Sequence, residues 1–374
     1  MGSEYKRPPV SSEIENKRTT LAHNNELVRS LEPFVKQNLL LLIPPEKLWQ
    51  PTDLLPVDFS LPKDVWTEQI DRVQERAQRL SIETIFTLIG NTITEEGLPL
   101  YMSTLVKSEA FGDRTGTDDA AWARWARGWT AEEKRHGDLL MSFLQFTGRV
   151  NIRAIHMTTQ SFIRNGFGIS DDADPLQSIV YTTVQEKATN VSHNNQGRLA
   201  KEQGDDVLAK ICQHIASDEN RHFTFYNNVF GEALRLDPDA AMIALYKLMK
   251  KKVVMPGRLM DDGVSKDANG KPNIFELFSV VAENIGIYTH TDYANIFGGI
   301  LKDWDIEHRI VSGEGARAQE KVIELQMTHA KVAERAEVRK REKGAQKSPD
   351  LSSLSWLQTG TKLSHSGIIF ESNA

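Results

Sequence analysis

The chain has 374 residues, 40% of them hydrophobic and 26% charged, with a net charge of −6 and a single cysteine. That is a globular composition, and its acid excess argues against a nucleic-acid binder working over its whole surface. Cys212 alone excludes an internal disulfide framework and any metal site built from thiolates. The longest aliphatic run, Leu39 to Ile43, falls far short of the ~20 apolar residues of a membrane helix.

Residues 1–25 are polar, carry two adjacent prolines, and read as a flexible arm. Residues 26–330 read as one domain, and helical spacing dominates it. Trp66, Ile70, Val73, Ala77 and Leu80 step by three or four. Four long helical segments follow, over 82–103, 120–146, 175–200 and 205–234. Pro99 lies four residues after Glu95 and has no N–H for the Glu95 carbonyl, so a kink or bulge is expected there. Strand alternation is hard to find, so the fold class is all-α. Residues 261–272 (DDGVSKDANGKP) read as a polar loop. Residues 331–347 are nearly all charge and alanine and read as a solvated helix or frayed tail. The remainder is Ser-rich, with Trp356 and Phe370 as docking points. Together 331–374 form a charged and Ser-rich tail with no assigned role.

Two of the long helices share a signature. Glu133-Lys134-Arg135-His136 and Glu219-Asn220-Arg221-His222 both read Glu-x-x-His. That spacing puts both side chains on one helix face. In each helix this is the apolar face: Trp129, Glu133, His136, Leu140 and Phe143 in one, and Ile211, Ile215, Glu219, His222, Tyr226 and Val229 in the other. A buried unpaired carboxylate is very costly, so positive charge must meet it. The other two long helices each bring one carboxylate on an inward stripe, Glu95 and Glu186. The order Glu, Glu-x-x-His, Glu, Glu-x-x-His is that of a two-metal carboxylate bundle. Four carboxylates match two divalent cations, two imidazoles complete the set, and such donors suit iron or manganese. Asp218 is expected to orient one imidazole.

At these residues the sequence resembles the soluble acyl-acyl carrier protein desaturases. The likeness includes Leu48-Trp49-Gln50-Pro51, Ile93-Thr94-Glu95-Glu96-Gly97-Leu98-Pro99 and the block from Trp129 to Leu140 (WTAEEKRHGDLL). It continues through Gln185-Glu186-Lys187-Ala188-Thr189, Asp218-Glu219-Asn220-Arg221-His222, Met255-Pro256 and Tyr288-Thr289. It runs from about residue 30 to 330. The resemblance implies a ferritin-like four-helix bundle with added helices. It implies two iron ions in a carboxylate-bridged centre held by Glu95, Glu133, His136, Glu186, Glu219 and His222. Thr189 is then expected at the oxygen face, and Trp129 beside the site and along an acyl channel. The implied chemistry removes two hydrogens from an unactivated acyl chain, with oxygen and two electrons from ferredoxin. A hydroxylase, an N-oxygenase or a non-enzymatic iron-binding bundle would share the same donors. Asn91 stands where an acid is expected in the plant enzymes. Thr104, Lys107 and Ser108 are more polar than their counterparts at the channel, which bears on chain length.

The implied partners, acyl carrier protein and ferredoxin, are acidic, so docking on this acidic chain must be local. Lys247, Lys250, Lys251, Lys252 and Arg258 lie in a stretch without acids, and the last four are the candidate docking residues. The resemblance also implies a homodimer. The N-terminus lacks an apolar secretory region, so the expectation is the cytoplasm, or a plastid stroma if a leader has been removed. The other eight histidines, His193 and His214 among them, read as core or surface groups.

Overall fold

A computed structural model describes residues 12–357, apart from 59, 170–172, 252–254, 345–346 and 352–353. The helices are α1 (Ser12–Ser30), α2 (Glu32–Asn38), α3 (Lys63–Ala77), α4 (Ile82–Glu95), α5 (Leu98–Leu105), α6 (Ala121–Thr147), α7 (Ile152–Asn165), α8 (Pro175–Glu202), α9 (Asp206–Leu236), α10 (Pro238–Lys250), α11 (Ile274–Ile285), α12 (His290–Asp303) and α13 (Gly313–Lys343). No strand forms among the described residues, only two isolated bridges. None of the described helices is long and apolar enough to cross a membrane.

Local chemistry sets the ends of the four central helices. Ser81 caps α4 by accepting from Thr84 N. Asp174 caps α8 through Leu176 N and Gln177 N, with Pro175 in the first turn, where its missing N–H costs nothing. Asp205 caps α9. Gly148, at φ +64°, ends α6. The short turn between α8 and α9 folds them back on each other, and Gly197 meets Cys212 where they cross. The lone cysteine is therefore a packing residue at a close helix approach.

Helices α4, α6, α8 and α9 form the ferritin-like core, and the rest flank it. The apolar interior falls into two clusters. One holds Trp122, Trp125, Trp129, Phe225, Tyr226 and Phe230. The other holds Leu139, Leu140, Phe143, Leu208, Ile211 and Ile215. Along both α6 and α9 the Glu-x-x-His residues fall between the two clusters. The bundle core is thus cut across by a buried polar layer.

Two expectations change at the edges and a third is settled. Residues 18–25 are helical, and Asn24 and Asn25 are buried. Asn24 bonds Asp174, and Asn25 accepts from Ser108 and Ala110, so the arm is docked at its end, while 1–11 lie outside the described residues. Second, the segment 82–103 is broken, not kinked. Helix α4 stops at Glu95, and α5 starts at Leu98 with Pro99 in its first turn. Tyr101 Oη donates to the Thr94 carbonyl at 2.8 Å, which the Gly97 N–H also meets at 3.1 Å, and so ties α5 to the end of α4. Third, the choice left open for 331–347 resolves to the solvated helix: α13 runs to Lys343, and Trp356 is fully buried as the docking point expected, donating to Thr158 Oγ1. Phe370 lies outside the described residues.

Candidate metal centre and its cavity

The structure gathers the six candidate donors in the polar layer. Glu95, Glu133, His136 and Glu219 offer ligand atoms all within 4.8 Å of one another. So do Glu133, Glu186, Glu219 and His222. Glu133 and Glu219 belong to both groups, so they could bridge two cations, with Glu95 and Glu186 then serving one each as terminal donors. Each imidazole turns Nδ1 inward: His136 Nδ1 lies 3.2 Å from Glu133 Oε2, and His222 Nδ1 lies 2.7 Å from Glu133 Oε1.

Several of these inward atoms are buried without hydrogen-bond geometry to any partner: Glu133 Oε1, Glu186 Oε2, Glu219 Oε1, His136 Nδ1 and His222 Nδ1. Buried polar atoms are normally paired, and here they converge on shared space. The donor set fits two divalent cations of the oxygen- and imidazole-seeking kind. The protonation balance points the same way. Burial pushes Glu186 well above the ordinary carboxylate range, and neighbouring Glu219 and Glu133 add to it. Burial also raises Glu219, with Glu133 adding. Burial opposes charge on Glu133 too, but His136 and His222 hold it far below the usual range. Burial would depress His136 and His222, but Glu133 and the acids behind them hold both well above 6.5. Without cations the cluster keeps protons that cations would displace.

Each imidazole has an acid on its outer nitrogen, and the two acids cross over. Asp218, on α9, accepts at 3.3 Å from Nε2 of His136 on α6. Glu132, on α6, faces Nε2 of His222 on α9 at 3.0 Å. Burial would raise Asp218, but His136 and then Arg221 hold it well below its ordinary range. The sequence reading found Asp218 and missed Glu132. The signal was present, because each is the residue immediately before the Glu of its motif. It also missed Trp49, whose Nε1 donates to Asp218 Oδ2 at 3.0 Å, and His193, whose Nε2 lies 2.9 Å from Glu95 Oε1.

Trp129 touches neither imidazole. It walls a small space of about 40 Å³ that reaches Glu133, Glu186 and Glu219, together with Tyr101, Tyr181 and Phe167. A larger cavity of about 360 Å³ adjoins it, walled by Met255, Phe275, Phe278, Tyr288 and Tyr293. Its volume suits a ligand pocket. Gly90 on α4 makes this wall possible, since a Cβ there would lie 2.4 Å from the Phe278 ring. Thr94, Glu95, Gln185 and Thr189 border both spaces, so two largely apolar spaces lie side by side along the polar layer. Thr189 Oγ1 bonds back to the Gln185 and Glu186 carbonyls of its own helix. Asn91 also borders the larger cavity, and its Oδ1 accepts from Ser192.

The docking candidates lie next to this cavity along the chain. Lys250 sits over the Tyr246 ring, Lys251 follows α10, and Arg258 is in the turn Pro256–Leu259. Met255, Pro256 and Gly257 line the cavity itself. Lys252 lies outside the described residues.

A four-helix bundle with two overlapping Glu/His clusters and largely apolar cavities beside them defines the class: a protein with a buried carboxylate and imidazole site able to hold metal, and room beside it for an apolar ligand. Comparison with known proteins narrows it. The fatty acid desaturase family model matches residues 23–357. A chloroplastic stearoyl-[acyl-carrier-protein] 9-desaturase of Simmondsia chinensis is 40% identical over 88% of this chain and 81% of its own. That of Spinacia oleracea is 40% identical over 94% and 84%, and desaturase 1 of Oryza sativa subsp. indica is 42% identical over 84% and 81%. Among solved structures, DesA2 of Mycobacterium tuberculosis H37Rv aligns over 76% of this chain and 96% of that one, with a TM-score of 0.47 and 17% identity. The chain belongs to the fatty acid desaturase family. The match ends at 357, so the segment around Trp356 is part of the family's fold and not an appendage.

Proposed function

We propose that this protein is a di-iron acyl-acyl carrier protein desaturase. It introduces a cis double bond into a saturated acyl chain, using molecular oxygen and two electrons from ferredoxin. The oxygen leaves as two waters, which takes up the two abstracted hydrogens and two further protons. The observation that carries the reading is the pair of largely apolar cavities beside two Glu/His clusters that share Glu133 and Glu219.

Glu95, Glu133, His136 and Glu219 would hold one iron, and Glu133, Glu186, Glu219 and His222 the other. Iron with oxygen supplies the oxidising power that an unactivated C–H bond demands. The chain's own residues do the rest. Phe275, Phe278, Tyr288 and Met255 take the acyl chain out of water and aim it inward. Trp129, Tyr181 and Phe167 receive its far end. Thr189, between the two spaces, presents a hydroxyl beside Glu186. Asp218 and Glu132 fix the imidazoles so that Nδ1 faces inward.

The carrier protein delivers the acyl chain at the cavity mouth, and Lys250, Lys251 and Arg258 give an acidic carrier or donor a basic edge there, with Lys252 next to them in sequence. Residues 26–330 act as one catalytic domain, and the enzyme works as a homodimer. The test incubates purified protein with ferredoxin, oxygen and a panel of saturated acyl carrier proteins, and reads products by mass spectrometry. Loss of two hydrogens at one position is expected. Addition of an oxygen atom instead would assign a hydroxylase. Failure to bind stoichiometric iron under reducing conditions would remove the reading altogether.

A further inference from the structure

The two terminal carboxylates are held differently. Glu95 Oε1 lies 2.9 Å from His193 Nε2, and its other oxygen, Oε2, faces His136 Nδ1 at 3.7 Å. His193 is itself only 1% exposed, so the contact is fixed by packing. Among the described residues Glu186 Oε2 has no such donor: it faces His222 Nδ1 at 3.5 Å without hydrogen-bond geometry. Both His193 and Glu186 come from α8, two turns apart on one face. One helix therefore supplies a terminal carboxylate to one position and the clamp on the carboxylate of the other.

We propose that His193 is a positioning residue that pins Glu95 through Oε1, so that the Glu186 position is the one that changes its coordination when the acyl chain enters. The inference rests on the two-iron reading above. A carboxylate that rotates to offer its second oxygen turns that oxygen away from a donor fixed beside it. Hydrogen bonds to charged groups are among the stronger ones in proteins. Both carboxylates border the small space beside Thr189, but Glu95 would strain its bond to His193, whereas Glu186 Oε2 has none to strain among the described residues.

The test loads the full chain anaerobically with 57Fe(II) and records Mössbauer spectra before and after adding a saturated acyl carrier protein. One of the two iron signals should move on addition, and the other should stay. His193→Leu should perturb the signal that stays and weaken iron binding at that position by about 10- to 100-fold. His193→Gln, which keeps a donor, should restore it. Glu186→Asp should perturb only the signal that moves, and this holds the inference to account if His193→Leu does not fold. The inference is overturned if His193→Leu alters both signals alike, alters only the moving one, or changes nothing. A chain that binds no iron at all would instead sink the function proposed above.

Discussion

The His136 and His222 halves of the centre come from one repeated motif, an acid followed by Glu-x-Arg-His. Their inner faces are nearly equivalent, but their outer faces are not. Behind His136, Asp218 Oδ2 takes hydrogen bonds from Trp49 Nε1 at 3.0 Å and Arg135 Nη2 at 2.8 Å. The Trp49 ring stacks on His136 with 6.0 Å between centroids and 10° between planes, and Arg135 lies 4.1 Å from its centroid. Trp49 is only half-buried. Behind His222, Glu132 is tied to Arg221 and to the backbone N–H of Ile43, and fully buried Trp125 meets the imidazole edge-on. One half reaches toward the surface through an aromatic ring, and the other is sealed in the core. A local repeat therefore fixes which atoms can bind, and the partners that tertiary packing brings decide how each is held.

The strongest challenge to this division removes what the halves share. Glu133→Ala or Glu219→Ala should cost both metal positions at once, because each residue belongs to both clusters. Iron should fall from two per chain to near none and turnover to background, while helical circular dichroism persists. His136→Ala should also abolish turnover but leave iron at the His222 position. If Glu133→Ala kept one tightly bound iron, the bridging assignment would be wrong.

A smaller effect should separate the halves cleanly. Asp218→Asn and Glu132→Gln each remove the charge behind one imidazole while keeping its shape. Each should weaken one metal position by about 10- to 100-fold and spare the other, as read by iron titration with separate Mössbauer signals. Asp218→Asn should have the wider consequences, since Arg135, Arg221, Trp49 and His136 all meet on that carboxylate. Equal losses at both positions from either variant would show that the halves act as one unit.

The six donors were legible because their spacing coincides with the apolar face of a helix, and burying charge there demands an explanation. The four long helices were legible for the same reason of periodicity. What stayed hidden depends on contacts distant in sequence. Trp49 is 169 residues from Asp218, and His193 is 98 from Glu95. No local pattern marks either pair. Glu132 was within reach, since symmetry with Asp218 points to it. The helix break after Glu95 was legible only as a kink or bulge, because Pro99 alone does not reveal that Tyr101 will tie α5 back to the Thr94 carbonyl. The charge of 331–347 left solvated helix and frayed tail both open, and serine obscured the apolar residues that follow, Trp356 apart. Yet Leu351, Leu354, Trp356 and Leu357 are all buried. Asp262 adds a fixed point there, accepting from Ser355 Oγ at 2.6 Å.

The gentlest probe of the comparison is pH, through His214. It packs on the outer side of Trp49, 5.8 Å between centroids, and the His222 half has no counterpart. Burial, with Lys210 second, holds its pKa below the ordinary 6.5. The folded state therefore binds fewer protons here than the unfolded chain does. Stability from this group is intact above 6.5 and declines as pH falls from 6.5 toward the lower folded value. A charge forced onto His214 sits beside Arg135 and Trp49, so it should loosen the His136 half alone. Both metal positions weaken in acid through their own donors, so the informative quantity is the difference between the natural chain and His214→Gln. At about pH 5.5 the variant should hold iron at the His136 position a few-fold more tightly than the natural chain, with no difference at the His222 position. If the two chains titrate alike at both positions, the surface-linked half is no more open to solvent than the sealed one.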